Sequence, residues 1–154
     1  MGQFSETFLY ILAFISTYIQ VVFLLTFLKK RKEITSRDVV ELKSCPSVTV
    51  IVPCWNEENT IDMTVESVLA IDYPHDLFKM FLVDDGSTDR TWEIMQKYRN
   101  HPRISIFQKE NGGKHTAVNL GIEKATSEFV SCLDADSFVH PQALKRIMSS
   151  FEND

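Results

Sequence analysis

The sequence predicts an α/β domain with a parallel sheet, preceded by a single membrane-crossing helix. Three observations carry this expectation. From Ser47 onward, short β-branched runs alternate with segments of helical spacing. Two of those runs end in carboxylates, at Asp84-Asp85 and at Asp134-Ala135-Asp136. The segment from Thr7 to Leu28 carries no charge and is rich in Leu, Ile, Phe and Val. With 154 residues and 44% hydrophobic content, the chain has room for one domain with a real core.

The uncharged segment comes first. As a helix it spans about 33 Å, enough for a hydrocarbon core of roughly 30 Å. Ser16, Thr17 and Gln20 dilute it, which suits a partner helix on one face. A signal peptide would carry basic residues before the run and small residues after it. Here Glu6 precedes the run and Lys29-Lys30-Arg31-Lys32 follows it. The positive-inside rule then sets the rest of the chain in the cytosol, tethered to the cell membrane. The expected organisation is an anchor with its basic flank over 1–32, a polar linker over 33–45 and a domain over 46–154.

Within the domain, Val48 to Val52 reads as a buried parallel strand closed by Pro53. Ile61, Val65, Val68 and Leu69 follow with helical spacing. Met80 to Val83 is the second strand, ending at Asp84, and Ser87 or Thr88 caps the helix that carries Trp92, Ile94, Met95 and Tyr98. Ile104 to Phe107 forms a third strand and Thr116 to Ala125 a third helix. Phe129 to Leu133 is the fourth strand. Pro141 opens a last helix bearing Leu144, Ile147, Met148 and Phe151. Strands alternating with helices imply right-handed crossovers and a parallel sheet.

Charge narrows the function. From Ser44 to Asp154 there are ten basic and seventeen acidic side chains, which makes this part a poor nucleic-acid binder. Its carboxylates would repel a phosphate ligand unless a metal ion intervened. Cys45, Cys54 and Cys132 form no C-x-x-C pair and have no His at ligand spacing, so reduced thiols fit better than a zinc site or a disulfide frame.

In a parallel sheet all strands end on one edge, where open α/β folds bind ligands. Three loops gather there: Pro53 to Glu57, Asp84 to Ser87, and Asp134 to Asp136. Trp55 offers a flat ring for a base. Asp85 can accept from a base N–H or a ribose hydroxyl, and Gly86 lets the backbone come close. Asp134 and Asp136 offer the hard oxygens that Mg²⁺ or Mn²⁺ prefer. Asn111-Gly112-Gly113-Lys114 adds a cation at a helix start, where N–H groups favour anions. This is not a P-loop, because Gln108 and His115 stand where Gly and Ser or Thr are needed. Nor is it a dinucleotide fingerprint, since the first strand ends in Pro53-Cys54-Trp55.

Four linked motifs carry a resemblance. They are Val50 to Glu58, Val83 to Asp89, Asn111 to Lys114 with Ala117 and Asn119-Leu120-Gly121, and Leu133 to Ser137. In order and spacing they resemble glycosyltransferase family 2, and the preceding apolar helix resembles its membrane-bound polysaccharide synthases. The resemblance covers about residues 46 to 151. It implies the nucleotide-binding half of a Rossmann-like GT-A fold and an inverting transfer of sugar from a nucleotide donor, usually a UDP-sugar, to a glycan or lipid-linked acceptor. Carried over by position, Pro53, Trp55, Glu57 and Asp85 lie around the uridine, with Asp84 beside them. Lys114 lies near the phosphates, and Asp134 and Asp136 serve the sugar, the diphosphate and the metal. The family takes its catalytic base from a later acidic motif, expected beyond Asp154, so the chain reads as an incomplete, inactive donor-binding half. A non-catalytic nucleotide- or metal-binding module that regulates a membrane partner is the alternative.

Overall fold

The computed structural model describes residues 2–35 and 44–151, with side chains from residue 7 to 29 in the first stretch. The expected linker falls largely at 36–43, and the side chains of the basic flank at 30–32 also lie outside the described residues. The chain divides into two compact units, the N-terminal helix and the domain that follows it.

The N-terminal helix, α1, runs Gly2–Thr35, well beyond the expected 22 residues. Backbone hydrogen bonding propagates into flanks that hold no Pro and several good helix formers, such as Lys, Arg and Glu. The apolar part spans Thr7–Lys29 with a mean hydropathy of 2.2, long and apolar enough to cross a membrane. Its large side chains, including Phe14 and Phe23, are exposed. Two hydroxyls within it donate to carbonyls one turn back, Thr17 Oγ1 to Ala13 O and Thr26 Oγ1 to Val22 O, both at 2.8 Å. Those donors therefore ask nothing of the surroundings.

The domain is built on four parallel strands: β1 (Val48–Cys54), β2 (Phe78–Asp84), β3 (Ile104–Gln108) and β4 (Phe129–Cys132). Their order across the sheet is β3-β2-β1-β4. The helices between and after them are α2 (Ile61–Leu69), α3 (Thr91–Gln96), α4 (Lys114–Lys124) and α5 (Ala143–Phe151), with a 3-10 turn at His75–Leu77. The parallel sheet and the strand-helix alternation match the expectation. Alternate side chains of β1 and β2 enter two cores. Val48, Val50, Val52, Phe78, Met80 and Leu82 pack with residues of α2, α3 and α5, while Ile51, Phe81 and Val83 meet Ala117 of α4. Both faces of the two central strands are thus covered, which is why these strands read as unbroken apolar runs.

Several boundaries differ from the sequence reading. Pro53 does not end β1; the strand runs on to Cys54, in register with Asp84. The Ile51 carbonyl accepts from Leu133 on the β4 side, and the Cys54 carbonyl accepts from Asp85 on the β2 side. Position 53 therefore turns its missing N–H toward β4, beyond that strand's last paired residue, so no ladder bond is lost. Pro141 lies two residues before α5 rather than in its first turn. The start of that segment is instead set by His140, whose carbonyl accepts from Ala143 N. α4 begins at Lys114, two residues earlier than expected, and it sits tightly on the sheet: a Cβ at Gly121 would lie 2.6 Å from Ile51 Cγ2. β4 is an edge strand, with Val130, Ser131 and Cys132 exposed.

Candidate functional site

The carboxyl ends of β1, β2 and β4 deliver the three expected loops to one rim, and hydrogen bonds between loops fix them there. The turn after β1 needs Asn56 in the left-handed region, at φ 56°, a conformation Asn tolerates better than most residues. Asn56 is held by its neighbours: its N–H donates to Ser87 Oγ at 3.0 Å, and its Oδ1 accepts from Thr88 N at 2.8 Å. Next along the chain, Glu57 N donates to Thr91 Oγ1 at 2.7 Å and Glu58 N to Asp89 Oδ2 at 3.1 Å. The first two loops are therefore zipped together residue by residue.

This zipper replaces the expected cap of α3. Ser87 and Thr88 are spent on Asn56, and the helix starts later, at Thr91, where Asp89 Oδ1 accepts from both Thr91 N at 2.9 Å and Thr91 Oγ1 at 2.6 Å. Burial would raise the Asp89 pKa, but the hydrogen bonds from Thr91 and Glu58 prevail and hold it below the ordinary carboxylate value.

The two carboxylates ending β2 lie behind the rim. Asp84 is fully buried, with Oδ1 accepting from Ser87 N at 3.3 Å and Oδ2 from Gln108 Nε2 at 3.1 Å. Asp85, only 2% exposed, turns toward the glycine loop. Its Oδ1 accepts from Lys109 Nζ at 2.7 Å and Gly112 N at 3.1 Å, and its Oδ2 from Gly113 N at 2.8 Å. Burial works against the charge, but the Lys109 ammonium and the two amides outweigh it, so the carboxyl sits below its usual range. Gly86 follows at φ 71°, and a Cβ there would lie 2.7 Å from Asn111 N, so the loops after β2 and β3 touch through a glycine. Sequence reasoning missed Lys109, although a signal was available. A carboxylate at a buried strand end needs a cation, and Lys109 is the first one after the neighbouring strand.

The remaining site residues meet at one cavity. Pro53, Trp55, Glu57, Lys114, Asp134, Ala135 and Asp136 line a cavity of about 220 Å³. Six of the eight residues expected at the site meet there, and Asp84 and Asp85 do not. Trp55 is 56% exposed. Lys114, from the first turn of α4, bonds to Asp134 Oδ1, and this contact raises the lysine pKa. Asp134 and Asp136 are exposed, while Ala135 between them is buried and receives Thr64 Oγ1 from α2 on its carbonyl at 2.7 Å. That anchor holds the backbone so that both carboxylates project from the rim. No group of three or more His, Cys, Asp or Glu side chains is gathered for a metal among the described residues. Two exposed carboxylates on one cavity nonetheless fit Mg²⁺ or Mn²⁺, which take one or two protein carboxylates and complete their shell with water and substrate phosphates. Cys54 packs under the rim, its pKa raised by burial and by the Asp84 and Glu57 carboxylates.

Comparison with known proteins agrees with this arrangement. Residues 49–154 match the family described as Glycosyl transferase family 2. The poly-beta-1,6-N-acetyl-D-glucosamine synthase of Staphylococcus aureus (strain MSSA476) is 32% identical over 125 residues, 80% of this chain and 30% of that protein. The synthase of the same name from Staphylococcus epidermidis is 33% identical over 113 residues, 73% of this chain and 27% of its own length. The chain thus spans under a third of the relatives it matches. Among solved structures, S. aureus TarS 1-349 in complex with UDP-GlcNAc aligns at 33% identity and a TM-score of 0.64, covering 70% of this chain and 31% of that one. The mannosyltransferase PcManGT from Pyrobaculum calidifontis, in complex with GDP-Man and Mn2+, aligns at 28% identity and a TM-score of 0.64, covering 80% and 38%. The sheet is of the GT-A type that these neighbours share.

Proposed function

Since the chain belongs to glycosyltransferase family 2, we propose that it is the donor-binding part of a membrane-anchored, inverting enzyme that passes a sugar from a UDP-sugar to a glycan or lipid-linked acceptor. The observation that carries this reading is the 220 Å³ cavity, which combines an exposed indole, an ammonium and paired carboxylates on the carboxyl rim of a parallel sheet. Trp55, with Pro53 beside it, offers a flat apolar surface to a base, and Glu57 offers acceptor oxygens to ribose hydroxyls. Lys114 sits at the start of α4, where its ammonium and the helix N–H groups favour the diphosphate. The TarS complex with UDP-GlcNAc and the PcManGT complex with GDP-Man support a nucleotide-sugar donor.

Asp134 and Asp136 would hold the divalent ion, a role supported by the Mn2+ in the PcManGT complex. When bound, the metal neutralises charge on the diphosphate as it leaves the sugar. The protein's own part is positional. The Thr64 contact to Ala135 fixes the carboxylate pair, and Lys114 shares the negative charge of Asp134. The reading assigns no described residue to the catalytic base. The anchor would be Thr7–Lys29, with its basic flank and the domain on the cytosolic side, where nucleotide sugars are found.

The test is calorimetric. The full chain in detergent micelles should bind UDP in a Mn²⁺-dependent manner. Asp136→Ala, an exposed substitution that leaves the core intact, should weaken that binding by about tenfold or more, because it removes one of two carboxylate ligands. Unchanged metal-dependent affinity in a folded Asp136→Ala chain would overturn the assignment.

A further inference from the structure

A second and larger concavity lies at the opposite edge of the sheet, where β2 and β3 begin. Its volume is about 490 Å³, and it is lined by His75, Asp76, Phe78, Lys79, His101, Pro102 and Arg103. Its charge runs against the rest of the domain. From Ser44 to Asp154 acidic side chains outnumber basic ones by seventeen to ten. Arg90, Lys97, Lys109, Lys114 and Lys145 each have a carboxylate partner. Among the described residues of the domain, Lys79, Arg99, Arg103, Lys124 and Arg146 have none, and two of these five, Lys79 and Arg103, line this one cleft. Two of the four histidines line it as well, against Asp76 as the one carboxylate. With both imidazoles neutral, Lys79 and Arg103 against Asp76 leave the cleft positive.

The Arg103 side chain is held in place. The Arg103 guanidinium lies 5.8 Å from the centroid of the buried Phe78 ring, and its Nη2 donates to Leu69 O at 3.2 Å. On the backbone, Arg103 O accepts from Met80 N at 2.8 Å, which ties the start of β3 to β2. His101 Nδ1 accepts from Arg103 N at 3.3 Å, so in the neutral ring the proton sits on Nε2, a donor. A fixed guanidinium, an ammonium and imidazole donors around one concavity are the groups that recognise phosphate oxygens.

We propose that this cleft binds a phosphate-bearing anion, at a site separate from the 220 Å³ cavity on the other rim. Two sources share that chemistry: a soluble phosphate compound and the headgroup of an anionic phospholipid. The site requires no change in the fold, since its groups are already in place, and it stands whether or not the donor-binding reading holds.

The experiment follows the histidine ring signals by NMR in the full chain, carried in nanodiscs. In zwitterionic phosphatidylcholine discs, millimolar pyrophosphate should shift His75 and His101. His115, which neighbours Lys114, reports separately on phosphate entering the other cavity. Shifts at His75 and His101 under these conditions assign the cleft to a soluble phosphate. Shifts that appear only when phosphatidylglycerol replaces part of the lipid assign it to a headgroup. Lys79→Glu, a change at an exposed side chain, should weaken the response by about tenfold, since it exchanges an attraction for a repulsion. Perturbation at His115 alone, no perturbation with either phosphate source, or an undiminished response in Lys79→Glu would overturn the proposal.

Discussion

Asp85→Asn separates a residue that holds the fold from one that reads the ligand. The carboxylate takes three close donors: Lys109 Nζ, Gly112 N and Gly113 N. Asparagine keeps the shape but replaces one oxygen with an NH₂ group. In either amide orientation that NH₂ faces a protein donor, so at least one bond is lost and a repulsive contact is made. A hydrogen bond to a charged group contributes about 1.5–3 kcal/mol, and the Lys109 ammonium, with its side chain only 23% exposed, loses its counter-charge as well. The expected cost is about 2–4 kcal/mol, or roughly 8–16 °C in Tm for a domain of this size. Trp55 and Trp92 are the only tryptophans and both lie in the domain, so fluorescence melting of the full chain reports on it without interference from α1. The pH dependence has a definite sign. The Asp85 pKa is lowered in the folded state, so its stabilisation is present above the unfolded value, near 3.9, and fades as pH falls through the folded value. The gap between native and variant melting temperatures should therefore close below about pH 4. The ratio of UDP to CDP affinity should stay as in the native chain while both weaken with the loosened Lys114 loop. A Tm within about 2 °C of native, or a selective loss of the preference for UDP, would refute the anchoring role.

Other expectations follow from local geometry. Gly86→Ala adds a Cβ 2.7 Å from Asn111 N at a φ of 71°, so it should lower Tm by several degrees, measured in the same melt, through strain of about 1–3 kcal/mol. With a membrane-impermeant maleimide, Cys132 should label readily from the side that carries the domain, whereas Cys54 should label only after denaturation. Cys54 is 1% exposed and its thiol is held protonated by burial. Labelling of Cys132 from outside intact cells would contradict a cytosolic domain. Gly121→Val should destabilise the domain by more than Gly86→Ala, because its branches would enter the Ile51 side chain in a packed interface; equal melting temperatures would show that α4 can lift off the sheet.

Strand and helix order was legible because both faces of the central strands are covered. Val48 to Val52 and Met80 to Val83 advertise this as unbroken apolar runs. The convergence of strand ends on one rim followed from parallel topology alone, which is why Trp55, Glu57, Lys114, Asp134 and Asp136 were found together. What escaped was the direction in which acidic side chains point. In Asp84-Asp85-Gly86-Ser87, adjacency in sequence says nothing of which carboxylate a neighbouring strand will claim. That was decided by Gln108 and Lys109 at the end of β3, some 24 residues away. The cap of α3 escaped for the same reason. Local preference favoured Ser87 or Thr88, and the long-range demand of Asn56 took them first.

These two kinds of acidic residue divide the work of the rim. Asp84, Asp85 and Asp89 accept from N–H groups of the loops that bear the site, and none of them lines the 220 Å³ cavity. Glu57, Asp134 and Asp136 line the cavity itself. An interior carboxylate organises a loop well because it accepts several bonds at once and keeps its charge when those donors outweigh burial. Among the described residues, an exposed pair such as Asp134 and Asp136 has only the Lys114 contact of Asp134 to place its side chains, so its backbone must be held, and the Thr64 hydroxyl on the Ala135 carbonyl performs that task from α2. It follows that Thr64→Val, nearly isosteric in a position with no exposure, leaves a buried carbonyl short of a partner at a cost of about 1–3 kcal/mol. Its melting temperature should fall, and on the proposed reading its Mn²⁺-dependent UDP affinity should fall with it, although no ligand group has been touched. A destabilised Thr64→Val chain with native metal-dependent affinity would show that the carboxylate pair is placed by something other than this anchor.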